Sequence, residues 1–213
     1  MSVLELEREL WDRGVEYVAG VDEVGRGCLF GDVVAAAVIL PKFAVIDGVN
    51  DSKKLSEKMR NHLYDEIVRQ GLAFAVASVD VATIERINIK QAARLAMKMA
   101  VQALKIRPEH LLIDAERVDL PIEQTAVIHG DALSQSIAAA SIVAKVTRDR
   151  LCERWDEQYP GYGIAQHKGY ATVYHRMRIV EMGATAMHRP TFLRKLNAAQ
   201  EAERQAEQME FLF

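Results

Sequence analysis

The stretch Tyr17–Leu40, YVAGVDEVGRGCLFGDVVAAAVIL, carries the reading on which the fold class depends. Tyr17–Val24 has the character of a strand and runs into a turn at Gly25-Arg26-Gly27. Val33–Leu40 is a continuous apolar run of strand length, which suits a buried strand. Working outward, Ser56–Gln70 is an amphipathic helix with Ser56 at its N-cap, Leu63, Tyr64 and Ile67 on one side, and Gly71 at its end. Phe74–Val79 supplies a third strand. Ile89–Leu104 is helical and rich in Ala and Met, and Pro108 closes the link to the next element. His110–Ile113 is a short strand ending in Asp114, and Thr125–His129 is another, ending in Gly130-Asp131. Leu133–Gln158 is a long helix, and the chain after Gly169 is mostly helical. Strands cluster first and later alternate with helices. This order predicts an α/β fold, a mixed sheet flanked by helices on both faces, with a C-terminal helical extension beside the core.

With 213 residues, half of them hydrophobic, the chain can bury one sizeable core. One catalytic domain over 1–213 is expected: a core at about 17–165, a helical groove region at about 166–200, and an acidic tail at 201–213. Two cysteines, Cys28 and Cys152, are too few for a disulfide framework and suit a reducing compartment. The N-terminus is charged and lacks the apolar run of a signal peptide. No segment approaches the roughly 20 apolar residues of a membrane span. A cytoplasmic protein without membrane contact is expected, with a monomer as the default.

A net charge of −3 does not announce a nucleic-acid partner, but the distribution is uneven. Between Gln158 and Gln200 stand six basic residues, Lys168, Arg176, Arg178, Arg189, Arg194 and Lys195, against the single acid Glu181. A local basic stripe is an electrostatic footprint for phosphate, although charge alone equally suits a solvated helical face.

Four acids stand where strand-like runs end: Asp22, Glu23, Asp114 and Asp131. Such positions emerge at the rim of a sheet, where loops build sites. Clustered carboxylates repel unless a cation neutralises them, and an oxygen-only ligand set suits Mg²⁺ or Mn²⁺. Each has a plainer explanation beside this one. Asp131 could cap the following helix, and Asp114 could simply end its strand. Adjacent residues on a straight strand face opposite sides, so Asp22 and Glu23 share one site only if the strand bends.

Ordered motifs add a different kind of information. Ala19-Gly-Val-Asp-Glu-Val-Gly-Arg-Gly27 is followed by Asn50-Asp-Ser-Lys-Lys-Leu-Ser56, Leu111-Leu-Ile-Asp114 and Gly130-Asp131. After these come Ala138-Ala-Ala-Ser-Ile-Val-Ala-Lys-Val-Thr-Arg-Asp149 and His167-Lys-Gly-Tyr170. Over about residues 17–192 this series resembles ribonuclease HII, the type 2 ribonuclease H family. The resemblance implies a ribonuclease H-like fold and a metal-binding catalytic quartet of Asp22, Glu23, Asp114 and Asp131 holding Mg²⁺ or Mn²⁺. It implies that Gly25, Arg26 and Gly27 read the ribose 2′-hydroxyl by close backbone approach, with Tyr170 against the neighbouring sugar. The substrate implied is an RNA/DNA hybrid or ribonucleotide-containing duplex DNA, cut 5′ to the ribonucleotide to leave 3′-hydroxyl and 5′-phosphate ends. Four positions depart from the family pattern: Cys28, Phe30, Asp32 and His129. About sixteen residues precede the first strand, which favours type 2 over the type 3 enzymes with their extra N-terminal domain.

Beside the resemblance, Ser52, Lys53 and Lys54 read as phosphate contacts, as do Lys145 and Arg148, three apart on one helical face, and His167 with Lys168. For Lys145 and Arg148 the alternative is pairing with Asp149 or Glu153. His175 and His188 read as surface or packing histidines. The tail Gln208-Met-Glu-Phe-Leu-Phe213 resembles the glutamine-plus-hydrophobic peptides that dock on the replication sliding clamp, where aromatic anchors dominate binding. The alternative is that Phe211 and Phe213 fold back onto the enzyme.

Overall fold

The computed structural model describes residues 4–49 and 55–194. Five strands form one sheet in the order β3-β2-β1-β4-β5. They are β1 (Val18–Val24), β2 (Val33–Ile39), β3 (Ala73–Val79), β4 (His110–Asp114) and β5 (Glu123–Val127). β1, β2 and β3 pair antiparallel, while β4 runs parallel to β1 and β5 parallel to β4. The mixed sheet expected from the order of elements is therefore present.

The apolar run of β2 is buried on both faces, and its alternation divides the core. Val33, Ala35, Ala37 and Ile39 join Ala92, Ala96, Met97 and Ala100 of α4 (Ile89–Gln102). Ala36 and Val38 face the other way, towards Leu63 and Ile67 of α2 (Glu57–Gln70) and Ala138, Ala139 and Ile142 of α6 (Gln135–Gln158). α2 starts where its cap was expected: the Ser56 hydroxyl accepts from the Met59 N–H.

α6 lies close on β1. A Cβ added at Gly20 would come 2.0 Å from the carbonyl carbon of Ser136, so only glycine allows this approach. The long helix begins two residues later than expected, because Ser134 is its cap and accepts from the Ile137 N–H. Asp131 sits instead in a separate one-turn helix, α5 (Gly130–Leu133), so it does not cap α6.

The sequence reading also left out α1 (Glu5–Asp12) and α3 (Val81–Ile87). α1 closes the N-terminal side of α6. Its buried Glu7 accepts from the Ser134 hydroxyl at 2.7 Å and from the Ser136 N–H at 2.9 Å. Beyond α6, α7 (Ile164–His167) and α8 (Val173–Met182) pack with Leu29, Phe30, Cys152 and Trp155 into a separate apolar cluster. This is the C-terminal helical extension. Among the described residues no helix is long and apolar enough to cross a membrane.

Candidate active site

The parallel pairing of β1 with β4 ends at Val21–Ile113. The next residues in register are Asp22 and Asp114, so the two carboxylates leave neighbouring strands at the same edge. β1 needs no bend to bring the two acids within reach of each other: at the end of the sheet the charge of Glu23 raises the pKa of Asp22. The ladder of β1 with β2 continues unbroken, Asp22 opposite Ala36 and Glu23 opposite Ala35. Asp22 therefore faces α6, where Ser141 hydrogen-bonds it, and Glu23 faces the opposite side, where Arg26 Nη1 donates to its Oε1 at 3.2 Å. The pair straddles the end of the sheet.

Burial holds the Asp22 carboxyl well above the ordinary carboxylate range, and the charges of Glu23 and Asp114 push it further. Burial likewise raises Glu23, against the pull of Arg26. Raised carboxyls in mutual repulsion are the electrostatic condition that a cation relieves. The main chain holds two of these acids in place: Asp22 Oδ1 accepts from the Glu23 N–H, and Asp114 Oδ1 accepts from the Gly130 N–H at 2.7 Å. That second bond ties β4 to the turn carrying Asp131, which is itself 6% exposed. Glu23 Oε2 is buried without a hydrogen-bond partner. Among the described residues no three His, Cys, Asp or Glu side chains already stand at metal-ligand spacing. The oxygen donors nonetheless fit a hard divalent ion, because an orphaned carboxylate oxygen lies among acids that repel one another.

Glycines 25 and 27 differ in what demands them. Gly25 has φ +94°, and a Cβ there would meet Arg148 Nε at 2.3 Å, so the protein's own interior requires it. A Cβ at Gly27 would meet nothing within 4 Å. Arg26 also approaches the buried Glu116, which pairs with Arg94.

Arg148 is a correction to the sequence reading. It is buried, and its guanidinium donates to the carbonyls of Asp32, Phe30 and Lys168, which leaves it inside the protein and away from phosphate. His167 is also engaged internally: Nε2 donates to the Tyr162 carbonyl and Nδ1 accepts from the Gly169 N–H. Arg189, counted in the basic stripe, is buried and donates to the carbonyls of Gly31 and Arg26. These arginines clamp the chain after the Gly-Arg-Gly turn, a role that residue type alone does not reveal. Lys145 pairs with Asp149, and Lys168 lies 3.8 Å from Glu153. His175 and His188 are buried packing residues with no surface face. Tyr170 is 43% exposed and lies against Cys28, and the Gly169 carbonyl accepts from the Leu29 N–H at 2.8 Å. Ser52, Lys53 and Lys54 lie outside the described residues.

A family model described as Ribonuclease HII matches residues 19–195. The chain belongs to the ribonuclease HII family. It is 55% identical over 203 residues to ribonuclease HII of Alkaliphilus metalliredigens (strain QYMF), covering 92% of this chain and 99% of that one. Ribonuclease HII of Alkaliphilus oremlandii (strain OhILAs) is 54% identical, with 92% and 100% covered. Among solved structures, ribonuclease H2 from Pyrococcus horikoshii OT3 superposes with a TM-score of 0.73 at 25% identity, covering 86% of this chain and 98% of that one. The PCNA:RNase HII complex from Archaeoglobus fulgidus gives 0.65 at 28% identity, with 81% and 91% covered. As a ribonuclease HII, the chain is a divalent-metal-dependent endoribonuclease with ribonuclease H activity on RNA/DNA hybrids.

Proposed function

We propose that this ribonuclease HII hydrolyses the phosphodiester 5′ to a ribonucleotide, in RNA/DNA hybrids or at single ribonucleotides embedded in duplex DNA, and leaves 3′-hydroxyl and 5′-phosphate ends. The observation that carries this reading is the convergence of Asp22, Glu23 and Asp114 at the end of the β1–β4 pairing, next to the Gly25–Gly27 turn. Asp22, Glu23, Asp114 and Asp131 would hold Mg²⁺ or Mn²⁺. Two such ions would supply activation of a water and stabilisation of the departing 3′ oxygen. The protein's own share is to place the substrate. Gly27, with open space over its Cα, lets the main chain approach the ribose, and Gly25 and Arg26 shape that turn. Tyr170 packs against the adjacent sugar. Ser52, Lys53, Lys54, Lys145 and Lys168 meet the phosphates, contacts that set register without reading sequence.

The test is cleavage of a Mg²⁺-supplemented duplex containing one ribonucleotide, with an RNA/DNA hybrid alongside. Asp22→Asn should abolish cutting while duplex binding persists, and full activity in that variant would overturn the ligand assignment. The tail Gln208–Phe213 lies outside the described residues. Its glutamine and aromatic pattern, together with the clamp-bound relative from Archaeoglobus fulgidus, supports docking on the replication sliding clamp. Deleting 208–213 should abolish capture by the clamp, and unchanged capture would remove the proposal.

A further inference from the structure

Three histidines not used by the hydrolytic chemistry, His167, His175 and His188, stand together around the main chain of Tyr170. His175 is fully buried and His188 is 2% exposed. His167 stacks on His175 with ring centroids 4.2 Å apart, and His188 meets Phe30 edge-on at 4.9 Å. Their hydrogen bonds have a defined direction. The main-chain N–H of Thr185 donates to Nδ1 of His188 at 2.9 Å. An amide N–H can only donate, so this ring nitrogen accepts and the neutral imidazole carries its proton on Nε2. Nε2 of His188 lies 3.2 Å from Nε2 of His175, which must then accept. The proton of His175 is left on Nδ1, where it donates to the Tyr170 carbonyl at 2.9 Å. A carbonyl can only accept, so both ends of the chain impose the same direction. Burial supports the neutral state, lowering each of the two rings to about 4. His167 holds the same tract from the other side: its Nδ1 accepts from the Gly169 N–H, and its carbonyl accepts from the Tyr170 N–H.

We infer that His188 and His175 form a one-way hydrogen-bond relay that sets the position of Tyr170 against the ribose, which makes both of them positioning residues for ribonucleotide recognition. The inference rests on Tyr170 contacting the sugar as proposed above. Phosphate contacts spread along the duplex supply most of the binding, whereas a displaced Tyr170 perturbs the geometry of the reacting site. The relay should therefore be felt in kcat more than in KM.

A double-mutant cycle on the full chain separates the two ideas, with single-ribonucleotide duplex as substrate and Mg²⁺ present. His175→Phe keeps a ring beside His167 and removes both nitrogens. It should lower kcat about tenfold, within the range for small misplacements, with KM changed by less than about twofold. His175→Asn, which retains an N–H near the position of Nδ1, should recover most of the loss. In a Tyr170→Ala background, His175→Phe should cost nothing further, because coupled residues are non-additive. Equal losses in both backgrounds, or no recovery with His175→Asn, would overturn the relay. A Tyr170→Ala enzyme that cuts normally would instead refute the sugar contact, and the relay's role would fall with it. If His175→Phe does not fold, His188→Phe, which keeps the ring against Phe30 and removes the donor to His175, must show the same dependence on Tyr170.

Discussion

A methyl group at residue 27 and one at residue 25 would meet opposite surroundings, although both residues belong to the same Gly-Arg-Gly turn. At 25 the obstacle is the Arg148 guanidinium together with a φ of +94°, so Gly25→Ala should destabilise the fold, by roughly 1–3 kcal/mol. At 27 there is no obstacle within the protein. Gly27→Ala should leave the thermal midpoint almost unchanged yet cut cleavage of ribonucleotide duplexes by about tenfold or more, since the added carbon enters the space assigned to the sugar. Paired melting curves and cleavage rates check this, and a Gly27→Ala enzyme with normal activity would place the ribose elsewhere. At this scale the acids Asp22, Glu23, Asp114 and Asp131 could be singled out as candidates because each follows a strand-like apolar run. Arg148 and His167 were read as phosphate contacts because a charged or polar side chain looks the same in sequence whether it faces phosphate or a buried carbonyl.

The elements themselves divide along a similar line. β2, β3, α2 and α4 were readable to within a residue or two, since each has a clear hydrophobic period or an unbroken apolar run with a cap or breaker at its end. α1 and α3 were missed, being eight and seven residues long. Short helices gain most of their stability from packing, not from propensity. The boundary at the start of α6 was misplaced because a separate turn, tied to Asp114 through the Gly130 N–H, ends just before Ser134. The contact between β1 and α6 is the most demanding in the fold. Gly20→Ala would drive a carbon into the Ser136 backbone, and main chain yields less than a side chain. A loss above about 3 kcal/mol is expected, seen as a large fall in the urea midpoint or as failure to recover folded protein.

For the whole molecule, the buried His175 and His188 predict an acid-sensitive fold. Both titrate near 4 when folded and near 6.5 in the unfolded chain. As pH falls below 6.5 the unfolded state takes up protons first. Stability is thus full above about 6.5, declines towards 4 and levels off below. Each ring should contribute on the order of a few kcal/mol across this window, at about 1.4 kcal/mol per unit of displacement. The raised carboxyls of Asp22 and Glu23 act with the opposite sign, so the comparison that isolates the histidines is wild type against His188→Phe. The melting temperature of the variant should fall less steeply between pH 7 and 5, and parallel curves would show that the rings are not held neutral.

By itself the sequence determined the α/β class and most of the strands and helices, and it singled out the four acids as candidates. These are recorded locally, in periodicity, caps and the order of short motifs, and family membership follows from them. Tertiary structure alone decided that Asp22 and Glu23 face opposite sides of the sheet end, and that Arg148 and Arg189 hold the turn from within. It also decided that three histidines far from the acids in sequence surround the main chain of Tyr170. The physical reason is that hydrogen-bond partners of buried polar groups are chosen by packing between distant segments. Residue type states only what a side chain can donate or accept; where it is buried settles what it meets.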